Sequence, residues 1–414
     1  MELTTKAQVT GHRFAVRLAE HGLVFGDLSM VHDPLGRRRR ASVLGLVGGA
    51  LVLAGAGVLA MFAPHPDPGN AQIVAVQGTL YASVDGTYHE VPNLTSARLV
   101  VGQPATPEEI APDVFATRAK GVPVGIVGAP GTFTSAHGPW AVCGSDGGTQ
   151  WHIVEGVPLR PLPEDTAFLA ASGTEEYLVT AAGRQLLPAA HTDAGRVMRR
   201  RIGISETTPV WQVPPEVLSA VPLRSPVVIP PVEEVIVAGE EAWARSGGVI
   251  APITPTQRDI LLDVAIPSHE LTRDGLAQYS LGTPLTDVPS HEFTFLTPAA
   301  VDNGPLCGSP DGPVGWLTAS EPGSVPVAGS AVSGYSSATG SALAVHVGTG
   351  YALISATGTA FELGDAAAVE AIGVESPASL ADEIYRLFPR GPVLSAATAA
   401  RPLLPDEAMS AITP

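Results

Sequence analysis

Lysine is all but missing: the 414 residues include only Lys6 and Lys120. A Walker-type phosphate loop needs a lysine directly after its second glycine, and neither lysine has that setting. His-Glu-x-x-His, Cys-x-x-Cys and Gly-x-Ser-x-Gly are absent too, which removes the commonest zinc-protease, redox and serine-hydrolase signatures. The eleven histidines are scattered singly, so residues such as His152 and His346 read as structural. Glu233-Glu234 and Glu240-Glu241 are poor acid–base pairs, because neighbours on a strand face opposite ways. No catalytic or metal-ligating residue is predicted.

Charge is missing altogether from Ala41 to Ala63, ASVLGLVGGALVLAGAGVLAMFA. As a helix this run is about 34 Å long, enough to cross a hydrocarbon core of about 30 Å with its backbone satisfied. Arg37, Arg38, Arg39 and Arg40 flank its start, and Pro64, Pro66 and Pro68 follow its end. Basic residues favour the cytoplasmic side, so residues 1–40 are expected inside and the rest outside. A cleaved signal peptide would have a shorter core and fewer residues ahead of it. A twin-arginine signal matches poorly after the arginines. The reading is a single-pass anchor.

The formal net charge of −17 is unevenly split. Residues 1–40 carry seven Lys/Arg against four Asp/Glu, and the remainder carries 16 against 36. Such an acidic outer part is wrong for nucleic acid, which needs a basic footprint. The basic inner end suits an anionic lipid surface. Cys143 and Cys307 are the only cysteines, both on the expected outer side. In an oxidising compartment they are expected to form one disulfide, worth on the order of 4–5 kcal/mol by loop closure. Two separate buried thiols are the alternative.

Along the chain, Phe14, Ala15, Leu18, Ala19 and Leu23 recur at helical spacing, opposite Arg13, Arg17, Glu20 and His21. A membrane surface or a partner's cytoplasmic domain would cover that face. Beyond a Pro/Gly-rich linker, four segments share one plan. Each opens with strand-like runs about a glycine turn, at Gly86, Gly183, Gly247-Gly248 and Gly358. Each closes on a similar tag: Lys120-Gly-Val-Pro123, Arg224-Ser-Pro226, Leu281-Gly-Thr-Pro284 and Arg390-Gly-Pro392. Thr106-Pro107, Pro215 and Ser376-Pro377 are expected helix starts. Leu380, Ile384, Leu387 and Phe388 should form one apolar helix face.

Two inserts resemble each other: Gly138-Pro-Trp-Ala-Val-Cys143-Gly144 with Trp151 beyond, and Gly304-Pro-Leu-Cys307-Gly308 with Trp316 beyond. Equivalent inserts meeting on a pseudo-twofold axis would bring Cys143 and Cys307 together. Their apolar runs, with Val227-Val-Ile229 and Val235-Ile-Val237, would make a central sheet. The cluster Arg196, Arg199, Arg200 and Arg201 reads as a face paired with nearby acids, an acidic partner surface being the alternative.

The expected fold class is therefore α+β: a single N-terminal transmembrane helix, then an elongated extracytoplasmic domain of four α/β repeat units around a central mixed β-sheet core with pseudo-twofold symmetry. The expected divisions are a cytoplasmic segment 1–40, helix 41–63, linker 64–73, repeat 74–127, core 128–174 and repeat 175–230. Core strand 231–239, repeat 240–288, core 289–345, repeat 346–397 and tail 398–414 complete them.

Certain stretches go further. Gln8-Val-Thr-Gly-His-Arg-Phe14, Glu20-His-Gly-Leu-Val24 and Met30-Val-His-Asp-Pro-Leu35, with the arginine-flanked anchor and the four tags, resemble EccB. EccB is a membrane-core subunit of type VII (ESX) secretion systems, and the resemblance covers the whole chain. The first helix departs from the family in carrying Leu18, Phe25 and Gly26 where more arginine is expected. The resemblance implies a scaffold in an inner-membrane complex with EccC, EccD and EccE, self-association outside the membrane, and four repeats around a six-stranded core. It implies contact with peptidoglycan as well, because the repeats are similar to a wall-binding phage lysin subunit. The family is also described as ATP-hydrolysing, which makes ATP the one cofactor it implies.

Overall fold

Thr5 opens the first helix, α1 (Lys6–Phe25), through a capping box in which its N–H donates to Gln8 Oε1 at 2.8 Å. Gly26, in the left-handed region at φ 69°, closes it. Phe14 and Leu23 on this helix are exposed. Helix α2 (Pro34–Met61) begins before the apolar run, so Arg37–Arg40 lie on its first turns. Its stretch Ala41–Val58, of mean hydropathy 2.0, is long and apolar enough to cross a membrane.

The computed structural model describes residues 5–26, 34–61, 69–135, 138–145, 149–297, 304–318 and 323–403. The expected helix stop at Pro64, Pro66 and Pro68, the Arg37–Arg40 side chains, residues Met30–Asp33 and the tail from 404 lie outside the description. Two compact units result, Met1–Pro66 and Asp67–Pro414.

The second unit contains four outer sheets of one plan. A three-stranded antiparallel meander comes first. A helix then leads to a strand parallel to the meander's first strand, and a short second helix leads to a segment parallel to its third. In the first sheet the meander is Ile73–Val76, Thr79–Val84 and Thr87–Val91. Helix α3 (Leu94–Val101) returns the chain to Glu108–Glu109, and α4 (Pro112–Ala116) to Ala119–Lys120. The second sheet uses Thr166–Ser172, Glu175–Thr180 and Gly183–Leu186, with α5 (Asp193–Arg201), Val210–Gln212 and α6 (Pro215–Ser219). The third uses Glu234–Ala238, Glu241–Ser246 and Val249–Ile253, with α7 (Pro255–Asp263), Ser268–Glu270, α8 (Arg273–Leu276) and Ser280–Leu281. The fourth uses Leu343–Val347, Gly350–Ile354 and Ala360–Glu362, with α9 (Ala366–Ile372), Ala378–Ser379 and α10 (Asp382–Tyr385). A last turn, α11 (Ala396–Ala399), follows.

Local chemistry explains the plan. Gln77-Gly78 and Asp85-Gly86 each have two positive φ values, the type I′ geometry that matches the twist of a tight hairpin. The first helix of every unit has a side-chain N-cap: Asn93, Thr192, Thr254 and Asp365 each accept a backbone N–H three residues on.

Several expectations need correction. The glycine turns mark the second hairpin of each meander, and a first hairpin precedes them at Gly78, Gly173, Gly239 and Gly348. Val235–Val237 therefore belongs to the third outer sheet, paired with Ala242–Ala244, not to the central one. The two-residue turn Gly239-Glu240 makes that pairing the one with the least chain to close. Val227–Ile229 forms no strand; Val227 is buried between the second and third sheets. Thr106-Pro107 and Ser376-Pro377 lead into strands instead of helices, since proline disfavours the right-handed helical region in the residue before it, and Ser376 takes a positive φ of 44°. Pro215 does head α6. Leu387 and Phe388 lie past the end of α10, though both join the core with Leu380 and Ile384.

The central sheet has seven strands where six were implied, its seventh being the two-residue edge Val325–Pro326. Side-chain clusters give the packing order. The first sheet packs on the fourth, the fourth and second on the central sheet, and the third on the second.

Candidate functional site

The two inserts meet at a disulfide-linked strand pair. Trp140–Ser145 and Leu306–Gly308 run antiparallel at the middle of the central sheet, with Cys143 directly opposite Cys307. The two sulfurs are bonded, and both residues are buried at 1% exposure. Trp151 pairs across from Gly144, and Trp316 across from Leu306. A Cβ at position 144 would come 2.9 Å from the Trp151 ring, which accounts for glycine after the cysteine. Each insert thus lays a cysteine and a tryptophan on adjacent strands. That is the structural content of the shared Gly-Pro…Cys-Gly…Trp pattern.

Strands are also exchanged between the halves. Thr134–Ser135, which follows the first sheet in the chain, adds in parallel to Leu343–Ala344 of the fourth. Thr294–Phe295, which follows the third sheet, adds in parallel to Thr166–Ala167 of the second. Gly334–Ser337 of the second insert pairs with His152–Glu155 of the first.

One polar thread crosses this apolar junction. Glu155, 1% exposed, accepts a hydrogen bond from the Ser337 hydroxyl at 3.0 Å. Ser337, Thr339, Ser341 and Thr134 continue outward as a chain of hydroxyl contacts of 3.0–3.3 Å. Beside it Trp140 stacks on Tyr335 at 6.4 Å, and Phe388 meets both rings edge-on. Burial pushes the Tyr335 hydroxyl well above its ordinary range, so it stays protonated.

The outer basic cluster is paired, as its plainer reading expected. Arg199 meets Glu176 at 2.6 Å, Arg200 meets Asp263 at 2.6 Å, and Arg201 meets Asp263 at 2.7 Å and Asp259 at 3.2 Å. Arg196 pairs with Asp193 one turn back. The hydrogen bond from Arg201, with help from Arg200, holds Asp263 down at about 2. Glu234 is likewise lowered, chiefly by Arg245, and meets His269 Nδ1 at 2.8 Å. Glu240 lies in a turn, while Glu241 pairs with Arg273. Among the described residues no group of three His, Cys, Asp or Glu is placed to hold a metal.

The tags acquire a physical meaning. Lys120 lies over Phe115 of α4 at 5.0 Å, and Arg390 over Tyr385 of α10 at 3.6 Å. In the second and third units the residues five before the tag are Ser219 and Leu276, and no ring is offered. That signal was present in the sequence as spacing between tag and aromatic.

A membrane-length helix and a cystine-joined body of like sheets, most of whose basic side chains are paired within it, define a protein of the membrane-anchored class. Residues 1–257 match the family model described as the EccB transport TM domain B of the type VII secretion system ESX-1, and the chain belongs to this EccB family. The ESX-1 secretion system ATPase EccB1 of Mycobacterium tuberculosis H37Rv is 34% identical over 249 residues, 56% of this chain and 51% of that relative. EccB1 of Mycolicibacterium smegmatis MKD8 is 28% identical over 334 residues, 75% and 66% of the two chains. The chain spans about half the length of the M. tuberculosis relative it matches. Among solved structures, a chain of an intact ESX-5 inner membrane complex aligns with TM-score 0.66 and 22% identity, covering 100% of this chain and 98% of that one. The EccB3 dimer from the ESX-3 core complex aligns with TM-score 0.67 and 21% identity, covering 80% and 100%. At these identities the likeness concerns the fold.

Proposed function

We propose that the chain is a structural subunit of a type VII secretion complex in the inner membrane. Helix α2 anchors it, α1 docks on the cytoplasmic side, and the folded body stands outside as a scaffold for export. The observation that carries this reading is the exchange of strands and a cystine between the halves of the body. A unit closed this way transmits load as one piece, which suits a frame better than a mobile enzyme. The orientation is supported by the arginines at the start of α2 and the acidic balance beyond it.

The four repeat units run 73–127, 166–230, 234–288 and 343–397, related in pairs by a pseudo-twofold axis at the cystine. The partners are EccC-, EccD- and EccE-like subunits, lipid and further copies of this chain. Two solved relatives, one within an inner membrane complex and one a dimer, support membership of a complex and self-association. Truncation after Phe62 tests the proposal in cells. The shortened chain should remain in the membrane while secretion is lost, and secretion at the normal level would remove the idea.

A further inference from the structure

We infer that the described residues of the folded body, between positions 69 and 403, form no site for a nucleoside triphosphate, contrary to the ATPase name carried by its relatives. A triphosphate needs free cations, a helix N-terminus with open N–H groups, or a lysine-bearing loop. All sixteen basic residues that follow the apolar run lie among the described residues.

Fifteen of them are already engaged. Eight are ion-paired with carboxylates of the same domain: the four of α5, then Arg245, Arg258, Arg273 and Arg386. Arg98, Arg184 and Arg224 donate to backbone carbonyls, those of Ile372, Val221 and Ala182 among them. Lys120, Arg160 and Arg390 lie over aromatic rings, and Arg118 has a partner as well. That leaves Arg401, a single exposed side chain.

Two cavities formed by described residues agree with the charges. One of about 530 Å³ is lined by Gln150, Trp151, Gln212, Ser330 and other uncharged residues. One of about 430 Å³ presents Glu240 and Glu241 beside Arg273, which Glu241 already holds. A triphosphate would meet no free cation in the first and net negative charge in the second. The N-termini of α3, α5, α7 and α9 are closed by their own capping side chains. Basic side chains in this body therefore serve the fold, and phosphate release seen with a preparation of it would originate elsewhere.

The test uses the full chain in detergent with magnesium and a fluorescent ATP analogue. Up to about 1 mM nucleotide, the top of the usual KM range, no saturable binding and no rise in unfolding temperature are expected. Phosphate release should stay at the buffer rate. Saturable binding, a nucleotide-dependent rise in unfolding temperature, or turnover that Arg401→Ala abolishes would each overturn the inference. The scaffold proposal is untouched by either result, because its own test reads secretion.

Discussion

The first sheet joins the fourth through α3 against α9 and α11, and the third joins the second through α7 against α5. Both junctions bury apolar side chains: Leu99 and Ile126 with Phe361 and Ile372 at one, Met198 and Ile202 with Ile260 and Val288 at the other. They differ in charge. At the first junction Arg98 donates to the Ile372 carbonyl at 3.0 Å, closing the end of α9. At the second, Arg200 and Arg201 of α5 grip Asp259 and Asp263 of α7. Copies of one plan have thus reached the same contact by different means. The lesson is that burial holds the units together while charge sets how each joint answers to salt and pH.

Removing what both arms share should have the largest effect. Replacing Cys143 and Cys307 by alanine opens a link spanning 164 residues and should cost about 5 kcal/mol by chain entropy, read as a shift in urea unfolding. An unchanged midpoint would mean the exchanged strands alone hold the halves. Next come the joints themselves. Ile372→Ala at the first and Ile202→Ala at the second, both fully buried, should each cost about 2–5 kcal/mol. A large loss at one joint only would break the claim that burial dominates both.

Smaller effects sharpen the contrast. Asp263→Asn should loosen the joint between the second and third sheets, and high salt should shrink the difference from the parent chain. The loss caused by Ile372→Ala should persist in salt. Asp263 has a folded value of about 2 against 3.8 for the free group. Its stabilising contribution is therefore complete above about pH 4 and disappears as the pH falls toward 2. Acid should thus erase the gap between parent and Asp263→Asn, and a gap that widened in acid would contradict the pairing. Smallest of all, Lys120→Ala removes one exposed cation–ring contact and should cost about 0.5–1 kcal/mol in the first unit, measured by thermal unfolding.

Much of this was legible in the chain. The uncharged run Ala41–Ala63 reads as a membrane-length helix because lipid admits little else. Cys143 and Cys307 pair as their lone status suggested, and the repeated turns and tags disclosed four like units. The misreadings share one cause. Val235-Ile-Val237 looks the same whether it enters an outer sheet or the central one. Ser376-Pro377 suits a helix start or a strand start equally. The signals that would have corrected them are short: the glycine eight or ten residues before each assigned turn, and the N-cap residues Asn93, Thr192, Thr254 and Asp365.

By itself the sequence determined the membrane-length helix, the acidic balance beyond it, the number of units and the local form of each, because charge, periodicity and turn chemistry act between near neighbours. Tertiary structure alone decided which strand lies beside which: Thr134–Ser135 with the fourth sheet, Thr294–Phe295 with the second, and Gly334–Ser337 with His152–Glu155. Alternation along a strand says which face is buried and nothing about the neighbour at its edge. That choice is made by packing among residues more than a hundred positions apart.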